Sequence, residues 1–550
     1  MKRRHLFGVG GALAALAAIP GCGGSGGSAS VAPALRALSV ADPTALLPVI
    51  VEMQPTTALP GVNVTLANQA LALLGLYGVP VAALPLINSA AGFANAAAID
   101  TISLLPGVAF VHPDLTVGPT QTAAPPPIPA GPASAVYPQT VKAKQVVQSG
   151  ITGSGVTVAV LDSGVAGDPD LADRILASVN FADPRPSADP GGHGTHVAGI
   201  IAGNGARSNG EFGGIAPQAN IVDVRVLSAN GSGRISSVVR GIEWVLAHRI
   251  VYNIRVINLS FGAPAPASYR GDPFSAAVEI AWRRGVAVVA AAGNGGPGRD
   301  TVLSPGVDPY VITVGATDDR GTADRDDDVF AWFSAWGSNP KPDLVAPGRR
   351  IVSLRVPGST LDTLYPSRVV AAQNGATYFT LTGTSMSTGV VSGVAALALQ
   401  RRPTLSPDQL KALLVGTTRP YGTPGATGVP DPIADGSGMV DAKGVDQSPT
   451  LPPANGGLRP ADGLARALYP VLYGSPLRWK NPLLGGILWN LLTWSTLTWN
   501  SVAWDNFDWD SVAWDSVAWD SVAWDSVAWD SVAWDSVAWD SVAWDSYTLD

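Results

Sequence analysis

Four short runs along the middle of the chain are apolar at nearly every position: residues 156–161, 221–226, 256–259 and 286–290. Between them, residues 235–249 and 274–284 carry apolar side chains at helical spacing. Strands without a polar face suit a sheet covered on both sides, and strand alternating with helix predicts an α/β domain with a parallel sheet flanked by helices. In such sheets functional groups gather at the carboxyl ends of the strands. The pattern places polar residues there: Asp162-Ser163-Gly164 after the first run, Ser260-Phe261-Gly262 after the third, and Ala291-Ala292-Gly293-Asn294 after the fourth. A small-residue segment, Gly191-Gly192-His193-Gly194-Thr195-His196, starts a helix at His193. Residues 378–381 alternate as a strand and 390–399 form a small-residue helical run. Ser385 therefore falls where a strand ends and a helix begins, with its peptide N–H at the positive end of the helix dipole.

Upstream, residues 49–53 read as a strand, 91–104 as a helix, and 105–111 as a turn and a second strand. Pro-rich residues 125–132 break regular structure and mark a boundary. The expected organisation is a signal segment (1–22), a Gly/Ser tether (23–47), a small α+β unit (48–117), a linker (118–136), the main domain (137–445), a second linker (446–488) and a repeat tail (489–550). In the tail a tryptophan recurs every five residues from Trp489 to Trp544, mostly as Ser-Val-Ala-Trp-Asp. A helix turns about 500° in five residues and a strand alternates faces, so neither gathers the tryptophans on one side. Three readings stay open: a solenoid, an acidic disordered tail that self-associates through tryptophan, and a surface-binding segment.

Composition narrows the class. A hydrophobic fraction of 46 % with 62 Gly and 46 Pro describes a loop-rich globular protein. The net charge of −8 is concentrated in the tail, whose eleven aspartates leave +3 for residues 1–480, so there is no electrostatic case for nucleic acid. With Cys22 as the only cysteine, neither an intramolecular disulfide nor a thiolate metal site can form. Lys2-Arg3-Arg4 before an apolar run over 6–19 predicts export, and Ile19-Pro20-Gly21-Cys22 resembles a lipobox. Lipidation of Cys22, which would anchor the precursor to a membrane, stands beside simple secretion.

Acyl transfer to a serine needs a base for the hydroxyl proton, a carboxylate to orient that base, and donors for the developing oxyanion. Asp162, His193, Asn294 and Ser385 supply these parts in the order Asp, His, Ser. The segments AVLDSGV, GGHGTHVAGIIAG, AAAGNGG and GTSMSTG resemble the aspartate, histidine, oxyanion and serine motifs of the subtilase family of serine peptidases. The resemblance covers roughly residues 137–445 and implies a subtilisin-like fold that hydrolyses protein or peptide substrates without a catalytic cofactor. It implies that Ser385 is the nucleophile, His193 the general base, Asp162 its orienting carboxylate, and Asn294 part of the oxyanion hole. Ser260, Phe261 and Gly262 match the substrate-pairing strand, with Ala291, Ala292 and Gly293 opposite. Residues 48–117 resemble the family's inhibitory propeptide, which implies a precursor that cuts itself. Calcium is a candidate structural ion, although residues 204–214, where relatives carry a calcium loop, hold only Glu211 as a carboxylate. Gly389 stands where the family has proline, which predicts a looser helix behind Ser385. A surface adhesive protein on a peptidase-like scaffold is the rival reading, and it would need none of the four residues in register. Acid-active serine-carboxyl peptidases would carry Glu in place of His193.

Overall fold

The computed structural model describes residues 30–55, 62–118, 133–183, 188–266, 268–337, 341–422 and 432–463. The signal segment, Cys22 and the Trp-Asp tail lie outside them.

The apolar runs form the centre of an eight-stranded sheet. Strands β7 (Thr157–Asp162), β9 (Asn220–Arg225), β11 (Ile254–Leu259) and β12 (Ala287–Ala291) are parallel neighbours in the order β12-β11-β7-β9. β8 (Ile175–Asn180) extends this order beyond β9, and β13 (Ile312–Asp318) beyond β12. β13 also pairs with β14 (Val329–Phe330), antiparallel, and with β15 (Leu344–Pro347), parallel. Helices α3 (His193–Ala202) and α6 (Thr384–Arg401) pack on each other and on the sheet, as do α4 (Ile235–His248) and α5 (Pro273–Arg283). Every residue of β7 and β12 is buried, as their nearly continuous apolar pattern leads one to expect.

A small unit precedes this domain. Its sheet runs β1 (Ser30–Val31), β5 (Val108–Pro113), β2 (Leu46–Met53), β4 (Ser89–Asn95) and β3 (Gly78–Leu84), with α1 (Pro33–Ala41) and α2 (Val62–Tyr77) beside it. Two expectations change here. The helix expected over 91–104 is a strand in its first part and helical only over Ile99–Ser103. Central pairing of β4 with both β2 and β3 overrides the alanine-rich helix propensity, and a Cβ on Gly92 would meet the Val79 carbonyl at 2.5 Å. The described part of the expected tether is also folded: β1 pairs with β5, and α1 follows it directly.

The unit and the domain share a core. Ile50, Leu84, Leu86, Ile87 and Ala91 join the domain's hydrophobic cluster rather than that of their own unit. At the end of β5 the buried Asp114 carboxylate accepts hydrogen bonds from the Ser236 N–H at 3.0 Å and its hydroxyl at 2.7 Å. The Leu115 carbonyl accepts from Ile235 N–H at 3.1 Å. The first turn of α4 is thus capped by residues from the small unit, not by its own N-cap Arg234. Beyond the cap, β6 (Thr116–Val117) pairs antiparallel with β10 (Gly233–Arg234), and Gly118 pairs with Gly262. Among the described residues no helix is long and apolar enough to cross a membrane.

Asp114→Ala removes both side-chain bonds to α4 and leaves the Ser236 N–H without its acceptor. We expect a loss of about 1–2 kcal/mol, the usual worth of a helix cap, read as a lower urea midpoint for the uncut chain; an unchanged midpoint would deny the cap a role.

Candidate active site

Asp162 is the last residue of β7 and His193 the first of α3, so the aspartate and the imidazole meet where a strand ends and a helix starts. Asp162 Oδ1 lies 2.8 Å from His193 Nδ1 and also accepts the Ser163 N–H at 2.7 Å. A carboxylate only accepts, so Nδ1 carries the proton and Nε2 presents its lone pair. That Nε2 is buried and makes no hydrogen bond. Burial is the largest single influence on His193 and pulls its pKa down. The Asp162 charge and hydrogen bond, with the Asp189 charge, outweigh it and leave the pKa raised.

Asp189 was not singled out in the sequence, where its only signal is a carboxylate four residues before His193. Its buried side chain accepts from the Ser163 hydroxyl at 2.8 Å, the Gly192 N–H at 2.7 Å, and the Thr195 N–H and hydroxyl at 2.9 and 2.6 Å. It joins the residue after Asp162 to the start of the helix carrying His193. Burial pushes its own pKa up, against these bonds.

Ser385 is the second residue of α6, where backbone N–H groups have no intrahelical acceptor. Its hydroxyl donates to the Ser260 carbonyl at 2.7 Å, and the Ser260 hydroxyl donates to the Ser385 carbonyl at 3.0 Å. Asn258 and Ser392 extend this network, each bond at 2.9 Å. Asn294 follows β12, and its Oδ1 accepts the Thr384 N–H at 2.9 Å and the Thr384 hydroxyl at 3.2 Å. A peptide N–H can only donate, so this contact fixes the amide orientation and turns Nδ2, the donor, away from Thr384. Phe261 points into the core against Phe274, ring centroids 6.5 Å apart, and leaves its backbone to the groove. Gly262 pairs with Gly118; Gly293, with φ +110°, is held by Thr384 Oγ1 at 3.1 Å. Gly389 is the sixth residue of a continuous α6, beyond the first turn that favours proline, and the helix runs unbroken through it.

A family model for the subtilases matches residues 153–442, more than half of the chain. The chain belongs to the subtilase family. This subtilase is 43 % identical to the serine protease AprX of Bacillus subtilis over 317 residues, 55 % of this chain and 69 % of that one. It is 38 % identical to subtilisin Savinase of Lederbergia lenta over 306 residues, 55 % of this chain and 95 % of that one. Its fold resembles fervidolysin of Fervidobacterium pennivorans, with a TM-score of 0.58 at 23 % identity over 79 % of this chain and 65 % of that one. By family it is a subtilisin-like hydrolase, a serine endopeptidase.

The calcium expected of relatives does not fit the 204–214 loop. Arg207 occupies it: its guanidinium pairs with Asp168, donates to the Thr377 carbonyl and lies 4.7 Å over the Tyr378 ring. Its peptide N–H and the Tyr378 hydroxyl take both Asp170 oxygens, each at 2.6 Å. Glu211 accepts the Gln373 N–H at 2.8 Å. A second oxygen-rich cage is filled by ammonium groups. Lys411 Nζ donates to the carbonyls of Pro309 and Val311 at 2.6 and 2.9 Å, and Lys341 Nζ to Val311, Thr313 and Asp343 at 2.9, 2.8 and 2.7 Å. Among the described residues no cluster of three His, Cys, Asp or Glu side chains could hold a metal.

Arg207→Ala is expected to lower the thermal midpoint in EDTA and in millimolar calcium alike, because the cation it removes from this loop belongs to the chain. A calcium-dependent rise of about 3 °C or more, the size of shift that ion binding worth roughly 2.7 kcal/mol gives a domain this large, would restore a structural ion.

Proposed function

We propose that this subtilase is an exported serine endopeptidase, made as a precursor, in which Ser385 attacks the scissile carbonyl carbon. His193 Nε2 takes the hydroxyl proton as the Oγ–C bond forms. Asp162 holds the imidazole in the Nδ1–H tautomer. The oxyanion is stabilised by Asn294 Nδ2–H and the Ser385 peptide N–H. His193 then gives its proton to the leaving amine, the C–N bond breaks, and water enters by the same base to hydrolyse the acyl-enzyme. One observation carries the reading: a buried imidazole with its Nδ1–H committed to a carboxylate and its Nε2 left without a partner. The mechanism requires the Ser385 hydroxyl to exchange its bond to the Ser260 carbonyl for one to Nε2.

Residues 30–118 are read as an inhibitory propeptide. Support comes from the antiparallel pairing of Thr116–Val117 with Gly233–Arg234 and of Gly118 with Gly262, which uses the backbone groups an extended substrate would use. The maturation cut is then expected beyond Gly118, within residues 119–132. Export is inferred from the basic and apolar N-terminal residues. If Cys22 is lipidated, the lipid stays with the released unit and the Trp-Asp tail stays with the protease, where surface retention or self-association is its proposed role. An adhesive scaffold has no use for the proton-transfer arrangement, and nothing in the fold favours it.

The deciding experiment compares the wild type with Ser385→Ala and Asn294→Leu for self-cleavage and casein hydrolysis. Ser385→Ala is expected to abolish both. Asn294→Leu is expected to cost about 100- to 1000-fold in kcat, a magnitude taken from the equivalent donor in subtilisin itself rather than derived for this chain. Equal activity in wild type and Ser385→Ala would end the proposal. The acid limb of kcat/KM provides a second check. The base works only when neutral and its pKa is raised, so activity falls as pH drops through an apparent pKa above about 6.5, the ordinary imidazole value. A limb centred at or below that value would contradict the role of Asp162 and Asp189.

A further inference from the structure

Two glycines face one side chain beside the proposed nucleophile. A Cβ placed on Gly262 would meet Leu303 Cβ at 2.5 Å and Cδ1 at 2.9 Å; a Cβ placed on Gly293 would meet Leu303 Cγ at 2.7 Å and Cδ1 at 2.9 Å. Leu303 therefore lies between the segment after β11 and the segment after β12, filling the space that both glycines leave open. Backbone bonds on both sides hold it there. Leu303 N–H donates to the Ala292 carbonyl at 2.9 Å, while Ser304 and Ala263 exchange bonds at 2.9 and 2.8 Å. The Leu303 side chain is 8 % exposed, and the neighbouring Val302 packs with Ala292 and Ala335.

On the reading that Ser385 is the nucleophile, the acyl residue of a substrate has its carbonyl between Ser385 and Asn294. Its side chain then enters between the walls Ser260-Phe261-Gly262 and Ala291-Ala292-Gly293. We propose that Leu303 is the floor of that pocket and limits the residue supplying the scissile carbonyl to short side chains, alanine, serine or threonine, excluding phenylalanine, tyrosine and leucine. The floor is apolar and its backbone is fixed on both sides, so a long side chain could enter only by displacing a packed leucine. Leu303 touches no reacting atom; it sets specificity by volume.

The test uses the matured enzyme and peptide anilides that differ only at the acyl residue: Ala, Leu or Phe. The wild type is expected to favour Ala over Phe in kcat/KM by about 10-fold or more. Leu303→Gly is expected to raise the Phe rate by roughly 10- to 100-fold with the Ala rate changed by less than about threefold, the range that pocket volume commands. Leu303→Ala should fall between them. A wild type that prefers Phe overturns the proposal, and so does a folded Leu303→Gly enzyme that keeps the Ala rate and gains nothing on Phe. If neither variant folds, the wild-type ratio and the cleavage sites mapped in denatured casein decide alone. Absence of hydrolysis of every substrate by the wild type would instead overturn the peptidase reading.

Discussion

Everything at the site depends on how closely α3 can approach the end of β7. A Cβ on Gly194 would lie 2.2 Å from the Gly164 carbonyl and 2.9 Å from Asp162 Cβ, so only glycine lets the helix come near enough for its first residue to meet the aspartate. Once there, the helix start is held by a second carboxylate, Asp189, which takes two of its N–H groups and ties them to Ser163. The imidazole is thereby fixed by its backbone as well as by its partner, and little freedom is left to lose when a substrate arrives. The same economy operates across the groove. Asn258, Ser260 and Ser392 form a buried polar chain that locks the start of α6 to the end of β11.

Where the sequence was legible, the responsible features were local. Strands such as Thr157–Asp162 and Ala287–Ala291 are apolar through their middles because both faces are covered, and polar residues at or just beyond their ends stand out for the same reason. Of the four residues read from motifs, Asp162, His193 and Ser385 occupy a strand end or a first helical turn and Asn294 follows its strand by three residues, places that sequence can locate closely. Residues whose role arises from distant neighbours were not legible. Leu303 matters because two glycines about 40 and 10 residues before it converge on its side chain. Arg207 reads as an exposed loop residue until Asp168, Thr377 and Tyr378 surround it. The alanine-rich start of the stretch over 91–104 misled because helix propensity is a weak prior against a strand with partners on both edges. The helix Val62–Tyr77 was missed because it is apolar around nearly its whole circumference and shows no amphipathic period.

The two oxygen cages put positive charge on the chain itself. Lys341 shows what that costs: burial brings its pKa down to about 8 even though Asp343 accepts from it. Asp343 is pulled upward by burial, yet the two ammonium groups beside it leave its pKa lowered. Such a network joins segments far apart in sequence, here residues 309–313, 341–343 and 411, and side chains supplied by the fold cannot diffuse away as an ion can.

The backbone pairing of Gly118 with Gly262 has a consequence in mass action. While the chain is continuous, residues 116–118 and the strand they occupy meet at the millimolar effective concentration that short tethers confer, and no external peptide at ordinary levels can compete. A single cut beyond Gly118 leaves every contact in place but makes the encounter bimolecular. If residues 30–118 act as the proposed propeptide, occupancy after that cut depends on how much protein is present: concentrated enzyme would stay silent and diluted enzyme would wake, so the volume into which the precursor is delivered would act as its timer.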